Sequence, residues 1–391
     1  MARHIITGID IGTHQVKVVI AEGIRKNGGY APRIIGKGLA ESKGLRHGYI
    51  INPGDTIRSV RQAINEAEKV ARVGVRRAFV SIGGIGLGSI ISQGSTIISR
   101  ADSLVTELDI SKTLETSETQ IPQSLSLNKE IIYTIPVQYK IDGKPILGRP
   151  VGMKGSKFEV RALFVNCLKP HLDDLIAAIE ETGVEVIDVM AAPIAASVVT
   201  LNKTQKIAGC VLANIGAETL SIVVFENSIP ISLEVFPIGS TDITNDIALG
   251  LRISIEEAEQ IKLGAITSTN YSKKELDDIV SARLSDMFDL IEAHLKKIGR
   301  NGLLPAGIII TGGGSGIGTI EDFAKAALKL PSRKAVFQAK AGFAENLDTT
   351  WSVAYGLCVL GLSAENEDGF GKKLVRTTGK NIASWVKRFL P

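Results

Sequence analysis

One short pattern occurs twice in this 391-residue chain, at its start and again just past its middle, and it limits the possible folds more than any other feature. Residues 6–20 read ITGIDIGTHQVKVVI and residues 212–225 read LANIGAETLSIVVF. At a constant offset of 204 they align Asp10 with Asn214, Gly12 with Gly216 and Val16 with Leu220, without a gap. Each copy is a pair of apolar, β-branched runs around a glycine, which reads as two strands joined by a glycine turn. The competing explanation is a chance likeness between two apolar hairpins. A true repeat implies two similar halves, and 391 residues already exceeds what one core usually serves.

Between the repeats, strands and helices alternate, which predicts a mixed α/β architecture. Helical spacing over 54–73 (Ile57, Val60, Ile64, Ala67, Val70) precedes a strand at 78–82. From about 84 to 165 helical patterning is weak. Alternation in Ile135, Val137, Tyr139 and Ile141, then in Phe158, Val160, Ala162 and Phe164, predicts an inserted α+β subdomain. Its polar, Ser/Thr-rich stretch 100–128 has no reading. A helix at 169–182 and a strand at 184–190 follow. Ser254 and Glu257 fit a capping box for a helix that Gly264 closes, and 275–298 carries a longer apolar stripe from Val280 to Ile298. A strand at 307–311 runs into GGGSGIG. Residues 362–379 read as a linker before an amphipathic C-terminal element.

Composition narrows the function classes. With 44% hydrophobic residues the chain buries a core, and a net charge of +4 argues against a chain-wide nucleic-acid surface. Three cysteines far apart in apolar stretches read as buried thiols rather than metal ligands. No window is apolar enough to predict a membrane span, and the N-terminus does not read as a secretory signal. Neither GxxxxGK[ST] nor GxGxxG occurs, which disfavours P-loop and Rossmann nucleotide sites.

Two glycine turns facing one another can clamp a polyphosphate, because turn glycines let successive N–H groups approach phosphate oxygens. Thr13 and Thr219 add hydroxyls, Lys17 an ammonium, and Asp10 a carboxylate able to hold Mg²⁺ through its waters. Gly312, Gly313 and Gly314 let backbone pass close to a base or ribose. Glu259 and Lys262, three apart on one helix face, suit ribose and base contacts, or form an exposed ion pair, the plainer reading.

In this order the two hairpins, the capped helix and TGGGS resemble the actin/Hsp70/sugar-kinase ATPase superfamily. Asp188–Ser197 (DVMAAPIAAS) and Val353–Gly361 (VAYGLCVLG) are similar to its two hinge segments. Within it, residues 131–165, residues 236–263 and the basic amphipathic C-terminus resemble the FtsA family of bacterial cell-division proteins, over essentially 4–391. The resemblance implies an actin-like (ribonuclease H-like) two-domain fold with an inserted α+β subdomain and a C-terminal amphipathic helix. It divides the chain into subdomain 1A (1–84, completed by 166–195 and about 345–361), insert 1C (85–165), 2A (196–240, completed by 300–344), 2B (241–299), a linker (362–379) and the membrane-targeting helix (380–391).

It also implies ATP with Mg²⁺: Gly12, Thr13, His14 and Lys17 at the first phosphate turn, Gly216, Ala217, Glu218, Thr219 and Gly239 at the second, Glu259 and Lys262 at ribose and base, and Gly312–Gly314 beside the adenosine. Asp10 and Asn214 take the metal positions. Arg283 matches a partner-facing arginine for the C-terminal peptide of the tubulin-like GTPase FtsZ. Self-assembly into protofilaments, anionic lipid, other divisome proteins and no nucleic acid complete the implied partners. The implied location is the cytoplasmic face of the membrane at the division site, held peripherally. In the tail, Ile382, Trp385, Val386, Phe389 and Leu390 share one helical face, with Lys387 among the flanking cations.

Two positions depart from the active-ATPase pattern. Asn214 replaces a second metal-organising Asp, and Ala192 replaces a water-orienting Glu before Pro193. Losing these groups predicts binding with weak or no hydrolysis. The alternatives are a pilus-assembly ATP-binding protein of the PilM type and a sugar-kinase-like phosphotransferase.

Overall fold

The computed structural model describes residues 4–26, 29–265, 271–337 and 347–367. The two copies of the repeat fold alike. In the first, Asp10 pairs with Lys17 and Ile11 with Val16; in the second, Asn214 pairs with Ser221 and Ile215 with Leu220, so the offset of 204 holds at each ladder position. Both turns close through the glycine amide, Gly12 to the Gln15 carbonyl at 3.1 Å and Gly216 to the Thr219 carbonyl at 2.8 Å.

Each hairpin seeds a five-stranded sheet of the same topology. The first has the order Gly29–Glu41, Gln15–Lys26, Ile5–Ile11, Arg77–Ile82, Glu185–Ala191; the second has Ile229–Phe236, Leu220–Glu226, Cys210–Ile215, Ile308–Thr311, Ser332–Lys334. The first three strands of each sheet are antiparallel and the last two join parallel to the hairpin's first strand. This is an actin-like α/β fold. The helix Ala192–Thr200 touches both sheets, and Ser352–Glu367 packs on it and on the first sheet. They cross at Gly356, where a Cβ would stand 2.0 Å from the Ala195 carbonyl, so only glycine admits this approach.

The outer helices follow their predicted faces. Pro53–Ala71 buries Ile57, Val60, Ile64 and Ala67 under an Asn52 cap, whereas Val70 is 58% exposed because the chain turns away at Arg72. Lys273–Lys297 buries Leu284, Met287, Phe288, Ile291 and Leu295. Ser254 accepts from the Glu257 amide at 3.2 Å, and Gly264 and Ala265 donate back to Ile261 and Gln260, a Schellman closure of that helix.

The insert forms a sheet in the order Gly88–Ile97, Lys157–Leu168, Lys129–Ile141, Lys144–Ile146. The stretch without a sequence reading contains the helix Glu107–Thr119. Its inner face is Ile110, Thr113, Leu114 and Ser117, half of it small and polar, because the helix lies against Gly94: a Cβ there would be 2.3 Å from the Thr113 carbonyl. A second difference concerns the linker. The last helix continues to Glu367, six residues into the stretch read as linker. Residues 380–391, with Ile382, Trp385, Val386, Lys387, Phe389 and Leu390, lie outside the described residues.

Candidate functional site

The first turn, Gly12 to Gln15, stands at the end of the central strand. Just below it, Asp10 and Lys17 face each other across the hairpin. Asp10 accepts from Ser81 Oγ at 2.7 Å. Burial pushes its carboxyl up, and Lys17 and Ser81 offset this only in part. Burial likewise pushes the Lys17 ammonium down, against the pull of Asp10 and Asp348. Lys17 therefore belongs to a local charge group beneath the turn.

The second turn is held from outside. Gly239 presses on it so closely that a Cβ would lie 2.2 Å from the Ala217 carbonyl and 2.6 Å from the Glu218 amide. Ser240 and Thr241 then donate to the Gly216 and Ala217 carbonyls at 2.9 and 2.8 Å. The start of the helix Ser240–Leu251 thus satisfies its orphan donors on the turn. Among the described residues, the amides of Thr13, His14, Ala217 and Glu218 have no backbone acceptor. Uncommitted N–H groups at glycine turns are what a polyphosphate needs.

Gly312 and Gly314 lie against the root of the second hairpin, where Cβ atoms would meet Asn214 Oδ1 at 2.4 Å and the Ile215 side chain at 2.3 Å. Gly313 faces open space. Glu259 and Lys262 do form an ion pair, at 2.7 Å, but it is not the exposed pair of the plainer reading. The Lys262 side chain is only 8% exposed. Its Nζ donates to the Ser240 carbonyl at 3.1 Å and to Thr244 Oγ1 at 2.8 Å, and Thr244 donates to Glu259 at 2.6 Å. Burial would raise the Glu259 carboxyl, yet Lys262, Thr244 and the more distant His14 together pull it below the usual range.

Thr311 Oγ1 donates to the Thr349 carbonyl at 3.3 Å, next in sequence to Asp348, whose charge, like that of Asp10, favours the Lys17 ammonium. Of the residues predicted from sequence, the structure joins Glu259 and Lys262 through Thr244, ties Glu218 to His47, and sets Gly312 and Gly314 against the root of the second hairpin. The sequence reading missed Ser81, Thr244, Asp348 and His47. Asp348 had a local signal, since it caps Thr349–Trp351 by accepting from the Thr350 amide at 2.8 Å. Ser81 and Thr244 had none.

The donor set fits nucleotide with metal. Asp10 supplies one carboxylate, and Mg²⁺ is commonly held by one or two carboxylates together with phosphates. Asn214 offers only a neutral amide. Arg283 lies away from this rim, on the helix Lys273–Lys297. It grips Asp246 in a bidentate pair at 2.6 and 2.9 Å, with Asp286 at 3.3 Å. The cysteines are buried, and burial pushes each thiol up to about 12.

Comparison with known proteins bears on the family and the fold. The family described as "Cell division protein FtsA" matches residues 211–356, and the "SHS2 domain inserted in FTSA" matches residues 86–166. A curated "Cell division protein FtsA" from Neisseria meningitidis serogroup B is 30% identical over 376 residues, covering 90% of this chain and 89% of that protein. In the "PilM-PilN type IV pilus biogenesis complex" a chain superposes with a TM-score of 0.65 at 16% identity, over 91% of this chain and 98% of its own length. MreB5 of Spiroplasma citri bound to ADP does so at 0.55 and 12% identity, over 94% and 99%. At such identities the structural matches establish the fold alone.

Proposed function

The chain belongs to the FtsA family of cell-division proteins, and from that premise we propose that it is an ATP-binding filament former that tethers FtsZ to the membrane. The single observation that carries the nucleotide half is the pair of matching glycine turns whose Thr13, His14, Ala217 and Glu218 amides lack backbone acceptors. In this reading Gly12, Thr13, His14 and Lys17 hold the phosphates from one lobe, and Gly216, Ala217, Glu218 and Thr219 from the other. Gly239 backs the second turn. Glu259 and Lys262 meet the ribose and base, and Gly312–Gly314 flank the adenosine. Asp10 would hold Mg²⁺ through water, and the metal would shield phosphate charge. With Asn214 neutral and Ala192 unable to orient water, ATP acts as a clamp between lobes more than as a fuel.

The tether half rests on family membership and on the tail sequence. Trp385 and its apolar neighbours share a helical face among cations, the pattern of an interfacial helix. Each cation near anionic lipid adds about 1 kcal/mol. One tail binds reversibly, while a filament carrying many binds tightly through effective concentration. Family membership, carried by identity along nearly the whole chain, weighs against the PilM-type and phosphotransferase readings. Liposome flotation tests the tether: Trp385→Glu should release the protein from anionic vesicles and leave ATP binding unchanged. Undiminished flotation of that variant would discard the tail as anchor.

A further inference from the structure

A small hairpin of the first lobe reaches across the cleft to the second phosphate turn. Its strands, Leu45–Arg46 and Tyr49–Ile50, pair with Arg46 opposite Tyr49, leaving His47 and Gly48 as a two-residue turn. The His47 backbone N–H donates to Glu218 Oε2, and its ring Nδ1 lies 3.2 Å from the Glu218 carbonyl. A carbonyl only accepts, so Nδ1 carries the proton in this contact. The base of the hairpin is braced on its own lobe. The Ile85 amide donates to the His47 carbonyl at 3.3 Å, and a Cβ at Gly48 would stand 2.4 Å from Gly84 Cα. Tyr49 meets His171 edge-on with ring centroids 4.8 Å apart, and His171 Nε2 is 3.1 Å from the Gly83 carbonyl.

The tip also has a constrained backbone. Both turn residues have positive φ, 48° at His47 and 84° at Gly48. Turns of this type favour Asn, Asp or Gly at the first position, since a larger side chain there crowds the backbone. Histidine at +48° is therefore strained, and such strain persists where outside contacts over-determine the residue. The outside contact is Glu218, one of the four residues of the phosphate turn. A loose carboxylate there would repel bound phosphate; on the His47 amide it is held by the opposite lobe.

We propose that His47 is a positioning residue for the nucleotide site, latching the first lobe to the second phosphate turn through Glu218. The latch keeps that carboxylate off the phosphates and slows nucleotide escape. This rests on the reading of the cleft as an ATP site.

Stopped-flow release of a fluorescent ATP analogue from the full-length protein tests it. His47→Gly suits the turn but removes the ring, so melting temperature holds or rises while release becomes about five-fold faster, the factor for one hydrogen bond. Glu218→Ala should release at least as fast, and Glu218→Gln, which keeps an oxygen for the His47 amide, should recover most of the loss. The His47 ring bonds the Glu218 backbone carbonyl, which alanine keeps, so in the Glu218→Ala background His47→Gly should speed release further. Wild-type release by His47→Gly overturns the latch, whether or not its stability changes. If the wild-type protein binds no analogue, the ATP reading fails. The His47–Glu218 contact is then judged by hydrogen exchange in nucleotide-free protein: Glu218→Ala must speed exchange across residues 45–50, and unchanged exchange overturns it as well.

Discussion

Gly239→Ala is the sharpest test of how the second turn is built. Gly239 has φ −154°, an extended conformation open to any residue, so alanine meets no backbone strain there. Its penalty is spatial. The new methyl would sit 2.2 Å from the Ala217 carbonyl oxygen, 2.5 Å from the Ala217 carbonyl carbon and 2.6 Å from the Glu218 amide. All three are backbone atoms, so no side chain can swing aside; the turn itself must move. Overpacking of this kind costs about 1–3 kcal/mol. At about 2–4 °C per kcal/mol for a lobe of this size, the melting temperature should fall by roughly 2–12 °C. Displacing even one charge-assisted amide contact to phosphate costs about 1.5–3 kcal/mol, so ATP affinity should drop about 10–100-fold. Gly313→Ala is the control, since nothing lies within 4 Å of its Cβ and melting should not shift. Calorimetric titration with ATP and a thermal melt read both quantities. A Gly239→Ala protein that melts lower but binds ATP like wild type would refute the claim that the Ala217–Glu218 turn cradles phosphate.

Three further outcomes follow from the same geometry. ATP turnover by the purified protein should stay below ~1 s⁻¹, and Asn214→Asp should raise it only modestly because Ala192 still leaves water unoriented; faster wild-type turnover rejects the clamp reading. Burial, aided by Lys297, lowers the His294 imidazole to about 4 beside Ser232, so the fold favours its neutral form. That stability is complete above pH 6.5 and is lost as pH falls toward 4, by about 3 kcal/mol relative to His294→Gln in urea unfolding. Asp188, which burial pushes up to about 6, works in the opposite sense in both proteins and cancels in the difference; a difference independent of pH counts against the assignment. Lastly, an acidic FtsZ peptide reaching Arg283 must compete with Asp246, so Asp246→Asn should tighten binding several-fold and Arg283→Glu should abolish it, both by fluorescence anisotropy. Unchanged affinity in both variants removes Arg283 from the interface.

The parts of the fold written in local patterns were legible before any coordinates. Both hairpins, the stripe from Leu284 to Leu295 and the Ser254–Gly264 helix carry their signals within a few residues. The helix Glu107–Thr119 did not, because a helix seated on Gly94 needs Thr113 and Ser117 where an apolar stripe would announce it. Contacts across the cleft were equally silent. His47 and Glu218 are 171 residues apart and Thr244 and Glu259 belong to different helices. Nothing near either residue in sequence marks its partner. Lys262 shows a third limit: its spacing from Glu259 predicted the ion pair correctly, but its burial depends on Ser240 and Thr244 of the preceding helix.

The two copies of the repeat are no longer equivalent at two ladder positions. The ladder positions that hold Asp10 and Lys17 in the first hairpin hold Asn214 and Ser221 in the second. A buried carboxylate–ammonium pair has become a neutral amide–hydroxyl pair at the same register. Everything that shapes a phosphate cradle is kept on both sides: the closing glycine, the turn of two intervening residues, the uncommitted amides. What differs is charge. The Asn214 amide oxygen also lies against Gly312, where a Cβ would meet it at 2.4 Å, so it seats the Gly312–Gly314 loop on the hairpin. On the proposed ATP reading, a cradle retained in duplicate with a carboxylate on only one side is suited to gripping a nucleotide between lobes more than to hydrolysing it.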